Sequence, residues 1–355
     1  WYVLFFKAKT AYEFSLCFFG SVMCISDTSS RSFGSICAIG QIMIPRIKKE
    51  GYPEGHATAL VACSSVLALL IPPSIPMIIF SITGGLSVGA AFLSTIIPGI
   101  MLTIIYCGLN FWFLRNNTDI KVEPTLPFKQ AVRGVVHSGN KAFFALLMPI
   151  IILGAIYSGI ATPTEAAAIA VIYAIPVSLM VYKGLTFRTL GSATVRAVVM
   201  TGSIMAVLFF LFIMSRAMIL EQVPKQLAEA LLDISEHKLV ILLVINLLLL
   251  LIGMIVDDIS GGVLAAIIFL PVVTELGIHP IHFAAIVGVN LGLGNVSPPC
   301  APMLYMAGGV AKLPLDKYIV PTVKLLFFGH LPMVLLVTFV PDLALYLPRL
   351  LMGIE

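Results

Sequence analysis

The chain has 355 residues, of which 59% are hydrophobic and only 11% are charged, and its formal net charge at pH 7 is +4. This composition excludes a soluble fold of the same length, and the small net charge without a basic and aromatic patch gives no reason to expect a nucleic-acid partner. Many apolar runs approach or exceed the roughly 20 residues that a helix needs to cross a bilayer, and none has the short alternating pattern of a membrane strand. We therefore predict an all-α polytopic protein embedded in a lipid bilayer.

The N-terminal part of the chain, residues 1–114, is predicted to form one structural unit. Its parts are a re-entrant hairpin, a broken helix and a plain span, at residues 11–48, 56–85 and 89–114. The arms of the hairpin meet at polar residues 27–32, which we call tip one. The helix is interrupted at residues 71–76, called break one, because prolines remove backbone donors and clash with the preceding turn. Residues 1–6 are apolar and no methionine precedes them, so we expect the natural chain to begin earlier.

The middle of the chain, residues 115–237, is predicted to consist of connecting and scaffold helices. Its first loop, residues 116–130, is expected to face the cytoplasm. In Thr162-Pro163-Thr164-Glu165, Thr162 is predicted to cap a helix that has Pro163 at its first position.

The C-terminal part, residues 238–340, repeats the plan of the first unit and is followed by a predicted tail, residues 341–355. Its hairpin, broken helix and plain span are expected at residues 238–276, 281–311 and 318–340. The polar residues 257–262 form tip two, and residues 297–302 form break two.

The two units match when the chain is slid along itself without a gap. The matched pairs are Pro45 and Pro271, Gly51 and Gly277, His56 and His282, Pro72 and Pro298, Pro73 and Pro299, and Pro76 and Pro302. Interrupted helices at corresponding places of two halves are typical of transporters that bind their substrate near the membrane midplane. Two unrelated proline kinks are the simpler alternative.

Basic residues favour re-entrant hairpins over broken spans. With hairpins, three basic clusters share one face of the membrane, as the positive-inside rule requires, and they lie at residues 46–49, 115–141 and 183–196. With broken spans, the first of these clusters would face the opposite side from the second. We therefore predict two hairpins of opposite orientation, which makes the fold an inverted repeat.

The two tips and the two breaks are expected to bring irregular backbone together near the midplane. Freed carbonyls there suit a small cation, and the N-termini of half-helices suit an anion such as a carboxylate. Hydroxyl and amide side chains are concentrated at these places, namely Ser29, Ser30, Ser32 and Ser35, Ser64, Ser65 and Ser74, Ser260, and Asn290, Asn295 and Ser297. For a single serine, hydrogen bonding to its own helix is an equally good explanation.

Three charged residues lie within or at the end of apolar segments. A carboxylate at membrane depth is costly and usually functional, which singles out Asp257 and Asp258. The alternative is that they cap the helix that follows. Arg216 either extends to the membrane interface or provides a counter-charge for an anionic substrate.

The residues of an enzyme are not found in this sequence. It has no phosphate-binding loop, dinucleotide fingerprint or nucleophile–base pair, and its six cysteines include no C-x-x-C pair. We expect neither enzyme activity nor an organic cofactor, so uphill transport would need an ion gradient.

Motifs around the breaks carry a resemblance to a known family. They are Gly40-x-x-x-x-Pro45-x-x-x-x-x-Gly51-Tyr52, Ser64-Ser65, Ile71-Pro72-Pro73-Ser74-Ile75-Pro76, Gly253-x-x-x-Asp257, Pro271-x-x-x-x-x-Gly277-Ile278 and Asn290-x-x-x-Gly294-x-x-Ser297-Pro298-Pro299. In this order and spacing they resemble the large membrane subunit (M, or DctM-like) of the tripartite ATP-independent periplasmic (TRAP) transporters. One departure is Ala301, which stands two residues after the second Pro-Pro, where a glycine is common in that family.

The resemblance implies a function, partners and a location. It implies an elevator-type secondary transporter in the bacterial inner membrane that imports organic acids, such as C4-dicarboxylates, keto acids or sialic acids, with Na⁺ as the coupling ion. It also implies two partners, a small membrane subunit (Q) and a periplasmic substrate-binding protein (P).

The expected site residues fall into three sets. The expected Na⁺-binding residues are Ser29, Ser30, Gly34, Ser64, Ser65, Pro72, Asp257, Asn290, Gly294 and Ser297. The expected substrate-binding residues are Ser32, Ser35, Ser74, Arg216, Asp258 and Ser260. The remaining prolines of the two breaks are expected to be structural, and they are Pro73, Pro76, Pro298, Pro299 and Pro302.

Other functions stay open at this point. The nearest is an elevator-type anion or carboxylate transporter that works without a binding protein. A channel or an intramembrane enzyme is disfavoured, since a channel needs a repeated lining around an axis and an enzyme needs convergent acid, base or metal groups.

Overall fold

A computed structural model describes residues 32–115, 117, 120, 128–234 and 237–353. The site predictions for Ser29 and Ser30 lie outside the described residues, and for Ser32, Gly34 and Ser35 only the helical backbone is described. The described residues divide into a smaller unit, within Asn117–Ile204, and a larger unit, within Arg31–Asn116 and Met205–Glu355. The described residues are mostly helical and contain no strand, which confirms the predicted all-α class.

Five helices form the N-terminal part of the larger unit. They are α1 (Ser32–Lys49), α2 (Glu54–Ser65), α3 (Leu67–Leu70), α4 (Ile75–Thr83) and α5 (Val88–Leu114). Residues 71–74 of break one are not helical, and the axis of α4 is bent by 42° from that of Glu54–Leu70. Pro76 lies in the first turn of α4, where the missing N–H of a proline leaves no helical hydrogen bond unmade.

The smaller unit is described from its three helical segments. They are α6 (Phe128–Tyr157), α7 (Pro163–Pro176), which continues through a π-helical turn (Val177–Val181), and α8 (Phe187–Leu220) as far as Ile204. Helices α6 and α7 pack together through three buried side chains, Ile152, Ala166 and Ala170. The Thr162 hydroxyl accepts from the Glu165 N–H while the Glu165 carboxylate accepts from the Thr162 N–H, which confirms the predicted start of α7.

The larger unit resumes at Met205 within α8. Its further helices are α9 (Val223–Ile234), α10 (Lys238–Ile255), α11 (Asp258–Leu264), α12 (Leu270–Glu275), α13 (Pro280–Val296), α14 (Pro302–Ala311), α15 (Leu315–Leu325), α16 (Leu331–Phe339) and α17 (Asp342–Met352). Two π-helical turns join α11 to α12 and α15 to α16, and they are Ala265–Phe269 and Leu326–His330. The predicted tail is therefore helical over most of its length.

The two breaks share a backbone feature, since the Pro72-Pro73 and Pro298-Pro299 peptide bonds are both cis. At break two, Ala301 has φ 21° and ψ 62°, a positive φ at the edge of the left-handed region. That conformation costs an L-residue roughly 1–2 kcal/mol, whereas glycine adopts it without a steric penalty. Ala301 therefore carries backbone strain at break two.

Packing inside the larger unit is reciprocal between its two halves. Helix α4, which follows break one, packs against α11 of the second half, and α14, which follows break two, packs against α1 of the first half. The long helix α5 packs against α13, and α15 packs against α2 in the same way. The halves are thus interlocked, and aromatic rings such as Phe80 on α4 and Phe283 on α13 meet at their junction, with centroids 6.2 Å apart.

Six helices in the described part of the chain are long and apolar enough to cross a membrane, or seven if the two arms around break one count as a single span. Large apolar side chains are also exposed on them, for example Phe209 and Phe210 on α8. An exposed apolar helix surface of this kind is expected where helices face lipid. These findings confirm the predicted polytopic membrane protein.

Candidate functional site

The candidate site lies in the larger unit, where break one, break two and tip two approach one another. A Cβ placed on Gly262 of tip two would lie 3.6 Å from the carbonyl oxygen of Pro76 in break one. A Cβ on Gly288 of α13 would lie 3.5 Å from Cε of Met77. The Ser65 hydroxyl at the end of α2 lies 3.5 Å from Sδ of Met303, the second residue of α14. Helix ends from both halves of the unit therefore converge on one region.

A buried carboxylate and a buried amide connect tip two to the last turn before break two. Asp258 is 1% exposed and Asn295 is fully buried. The Asn295 side-chain N–H donates to Oδ1 of Asp258. Oδ1 of Asn295 is also buried and has no hydrogen-bond partner in the described part of the structure. A buried acceptor without a donor is costly, so this pair of oxygen-bearing side chains is suited to a bound cation.

Asp257 occupies the N-cap position of α11, but its side chain makes no capping hydrogen bond. Asp257 therefore takes the N-cap position that the alternative interpretation gave it, without the side-chain bond of a usual cap. The carbonyl of Asp257 accepts from the N–H of Gly261 at 2.8 Å, which is the first backbone bond of the helix. Asp257 is half-buried and directly precedes the buried Asp258, which places both carboxylates at tip two.

The predicted serines differ in what their hydroxyls do. The Ser65 hydroxyl donates to the carbonyl of Ala62 at 2.6 Å, and the Ser297 hydroxyl donates to the carbonyl of Leu293 at 2.7 Å. Such bonds use the hydroxyl proton and leave oxygen lone pairs for another ligand. Ser74 in break one is 2% exposed, and its hydroxyl has no partner among the residues that the structure describes.

Asn290 is part of a buried hydrogen-bonded chain. Its side-chain N–H lies 2.8 Å from Oδ1 of Asn246 on α10, and the Asn246 N–H donates to the Thr338 hydroxyl on α16 at 2.7 Å. Asn246 and Thr338 were not singled out from the sequence. The available signal was Asn246 itself, a single amide in the otherwise apolar Lys238–Ile255 helix. These hydrogen bonds fix α13 to α10, and α10 to α16.

Glycines allow α10 and α13 to touch through their backbones. A Cβ on Gly294 would lie 2.5 Å from the carbonyl carbon of Gly253 and 2.6 Å from its Cα. A Cβ on Gly253 would in turn lie 3.2 Å from Cα of Leu291. The predicted site residue Gly294 thus has a packing role that is independent of any ligand.

Other predicted residues lie outside this convergence or act structurally. Arg216 is exposed on α8 and is not packed into the core of the larger unit. The ring nitrogens of the two matched histidines bind the long spans of their own halves, His56 at 2.9 Å from Oδ1 of Asn110 and His282 at 2.8 Å from the carbonyl of Val337. Ser64 is half-buried, and Ser260 is buried at tip two beside Asp258.

The chain is similar to permease proteins of one transporter family. The model of the family described as tripartite ATP-independent periplasmic transporter, DctM component, matches residues 15–343. The chain is 31% identical over 330 residues to the isethionate TRAP transporter permease protein DctMQ of Oleidesulfovibrio alaskensis, which covers 92% of this chain and 51% of that protein. It is 33% identical over 335 residues to the sialic acid TRAP transporter large permease protein SiaM of Vibrio cholerae, covering 92% of this chain and 75% of that one.

A third relative is the C4-dicarboxylate TRAP transporter large permease protein DctM of Pseudomonas aeruginosa, which is 31% identical over 327 residues. The match covers 92% of this chain and 75% of that protein. The chain thus spans about half the length of the DctMQ protein and three quarters of the other two.

Proposed function

Because the chain belongs to the DctM component family of TRAP transporters, we propose that it carries a carboxylated organic acid across the inner membrane together with Na⁺. Family membership itself confirms the predicted TRAP large membrane subunit, a multi-pass inner-membrane transporter protein and not an enzyme. The coupling ion, the solute and the partner proteins are the proposed part.

The main observation that supports Na⁺ coupling is the buried pair of Asp258 and Asn295. Hard cations take oxygen ligands such as carboxylates and amide carbonyls, and this pair places one of each in a fully buried position. The amide nitrogen of Asn295 faces Asp258, and its Oδ1, which as a carbonyl oxygen only accepts, would be satisfied by a cation. We propose that Na⁺ binds between tip two and break two, with Asp257, Asn290, Gly294 and Ser297 in the surrounding region. Asp258, which the sequence analysis expected to bind substrate, is thereby proposed as a cation ligand instead.

The solute is proposed to bind at break one, in the same region where the two breaks and tip two approach one another. The Ser74 hydroxyl is buried, can donate a proton, and lies in a break that touches tip two through Gly262 and Pro76. A carboxylate oxygen is a good acceptor for such a donor. The named solutes of the three relatives are all organic anions, which supports an acidic solute for this chain as well.

An inverted repeat and an elevator motion are proposed for the larger unit. The reciprocal packing of α4 on α11 and of α14 on α1 supports two interlocked copies of one plan. We propose that the larger unit carries the site across the membrane and that the chain works with a small membrane subunit and a periplasmic binding protein, in keeping with the word tripartite in the family description. The alternative is an anion transporter that needs no binding protein.

Uptake into proteoliposomes tests the proposal. The full chain, reconstituted with its small membrane subunit, is expected to accumulate labelled dicarboxylates, keto acids or sialic acids only when Na⁺ is higher outside and the cognate binding protein is present. Replacing the Na⁺ gradient by an equal K⁺ gradient is the control. Uptake that does not depend on Na⁺ would contradict the proposed coupling. Uptake that depends on Na⁺ but not on the binding protein would favour the alternative transporter.

Cys300 provides a native reporter for the site, because it is exposed at break two while Cys63 is buried. In a chain whose other cysteines are replaced by alanine, we expect Na⁺ to slow the labelling of Cys300 by a thiol reagent several-fold, since an ion held between tip two and break two restrains this backbone. An elevator motion also predicts labelling by an impermeant reagent from both sides of the membrane. Cys300→Ser gives the background, and a rate that is independent of Na⁺ and confined to one side would contradict both expectations.

A further inference from the structure

A buried histidine outside the proposed site joins the two halves of the larger unit. His330 ends the π-helical turn Leu326–His330 and is fully buried. Its Nδ1 lies 2.9 Å from the Tyr106 hydroxyl on α5, and its Nε2 lies 3.0 Å from the carbonyl oxygen of Val289 on α13. The imidazole therefore bridges a helix of the first half and a helix of the second half.

The partners of His330 fix where its proton lies. A carbonyl oxygen only accepts, so Nε2 must carry the hydrogen that is donated to Val289. In a neutral ring Nδ1 is then an acceptor, and the Tyr106 hydroxyl donates to it. Both ring nitrogens are thus used, in one tautomer, by atoms of two different helices.

Helix α13 is held at consecutive residues from two directions. The carbonyl of Val289 is bound by His330, and the side chain of the next residue, Asn290, is bound by Asn246 on α10. A helix rises about 1.5 Å per residue, so these two contacts lie roughly 7.5–9 Å along a rigid helix from Asn295. If these contacts were lost and α13 slid along its axis, Asn295 would move relative to Asp258 by the same distance.

We propose that His330 is a positioning residue for the cation site at tip two and break two, acting through α13 without touching the ion. Its two hydrogen bonds set the axial position of α13, and so the distance between Asn295 and Asp258. This inference rests on the proposed Na⁺ site. The π-helical turn that ends at His330 agrees with this role, because π-helical turns inside α-helices are frequent at functional sites.

The test measures the Na⁺ affinity of the folded protein without transport. In detergent, Na⁺ is expected to raise the melting temperature of the wild-type full chain with its small subunit, and the Na⁺ concentration at half effect is the readout. His330→Leu removes both bonds and is expected to raise that concentration by about tenfold or more, the size expected from one or two hydrogen bonds. His330→Gln, whose amide offers N–H donors for the Val289 carbonyl and a carbonyl acceptor for the Tyr106 hydroxyl, is expected to restore it to within about threefold.

Tyr106→Phe removes the bond to Nδ1 while the bond from Nε2 to Val289 remains, so it should give an intermediate value, and Tyr346→Phe, on an exposed tyrosine of α17, is the control. Equal half-effect concentrations for wild type, His330→Leu and Tyr106→Phe would overturn the inference, even if the variants are less stable, because a purely structural histidine changes stability and not ion affinity. If His330→Leu does not fold, the half-effect Na⁺ concentration of Tyr106→Phe decides, with His330→Gln as the variant expected to lie near the wild type. A Tyr106→Phe value equal to that of the wild type would then overturn the inference. A wild-type protein that does not respond to Na⁺ at all would instead contradict the proposed function.

Discussion

Gly294→Ala is expected to disrupt the packing of the larger unit and to lower its stability by about 3 kcal/mol or more, the upper end of what overpacking costs. The new methyl group would lie 2.5 Å from the carbonyl carbon of Gly253 and 2.9 Å from the carbonyl oxygen of Leu250. All of these atoms belong to the backbone of α10, so no side-chain rotation can make room. Helices α10 and α13 would have to separate, which would also break the Asn290–Asn246 contact.

The matched control is Gly309→Ala, also within a helix of this unit, where a Cβ would meet nothing within 4 Å. Alanine is a better helix former than glycine by about 1 kcal/mol, so this variant should be neutral or slightly more stable. The measurements are the yield of monodisperse protein and its melting temperature in detergent. A Gly294→Ala protein that melts like the wild type would show that α10 and α13 are not in backbone contact.

The positions of the breaks could be predicted because their cause is local. Proline ends or bends a helix through its own ring and its missing N–H, so Pro72-Pro73 and Pro298-Pro299 indicated where α3 and α13 stop. The capping box of Thr162 and Glu165 is local in the same sense, since its two hydrogen bonds join residues three apart. Features of this kind need no knowledge of the tertiary structure.

The contacts that organise the candidate site could not be predicted, because they join distant residues. Asn295 was noted at break two, but its bond to Asp258 depends on how α11 packs against α13, and the sequence does not specify that packing. In the sequence, His330 is a polar residue within a mainly apolar predicted span, and its partner Tyr106 lies 224 positions away. At tip one, Ser29 and Ser30 lie outside the described residues and only the helical backbone of Ser32 is described, so the site that these serines suggest stays a prediction.

Asp258→Asn is expected to abolish Na⁺-dependent uptake while leaving the protein folded. Asparagine has nearly the same shape, and its Oδ1 can still accept the hydrogen bond from Asn295, so the contact between tip two and break two survives. What is lost is one negative charge beside the proposed cation. Two charges about 4 Å apart attract by about 4 kcal/mol at an effective dielectric constant of about 20, so Na⁺ affinity should fall by at least about 100-fold.

The Na⁺ dependence of both uptake and melting temperature measures this effect, and Asp342→Asn is the matched control. Asp342 is exposed on α17 and pairs with Arg349 at 2.9 Å, and a surface pair of this kind contributes at most about 1 kcal/mol. Asp342→Asn should therefore leave both Na⁺ curves unchanged. If Asp258→Asn also leaves both curves unchanged while the wild type responds to Na⁺, the ion binds elsewhere, and the acceptor Oδ1 of Asn295 must be satisfied by something other than a cation.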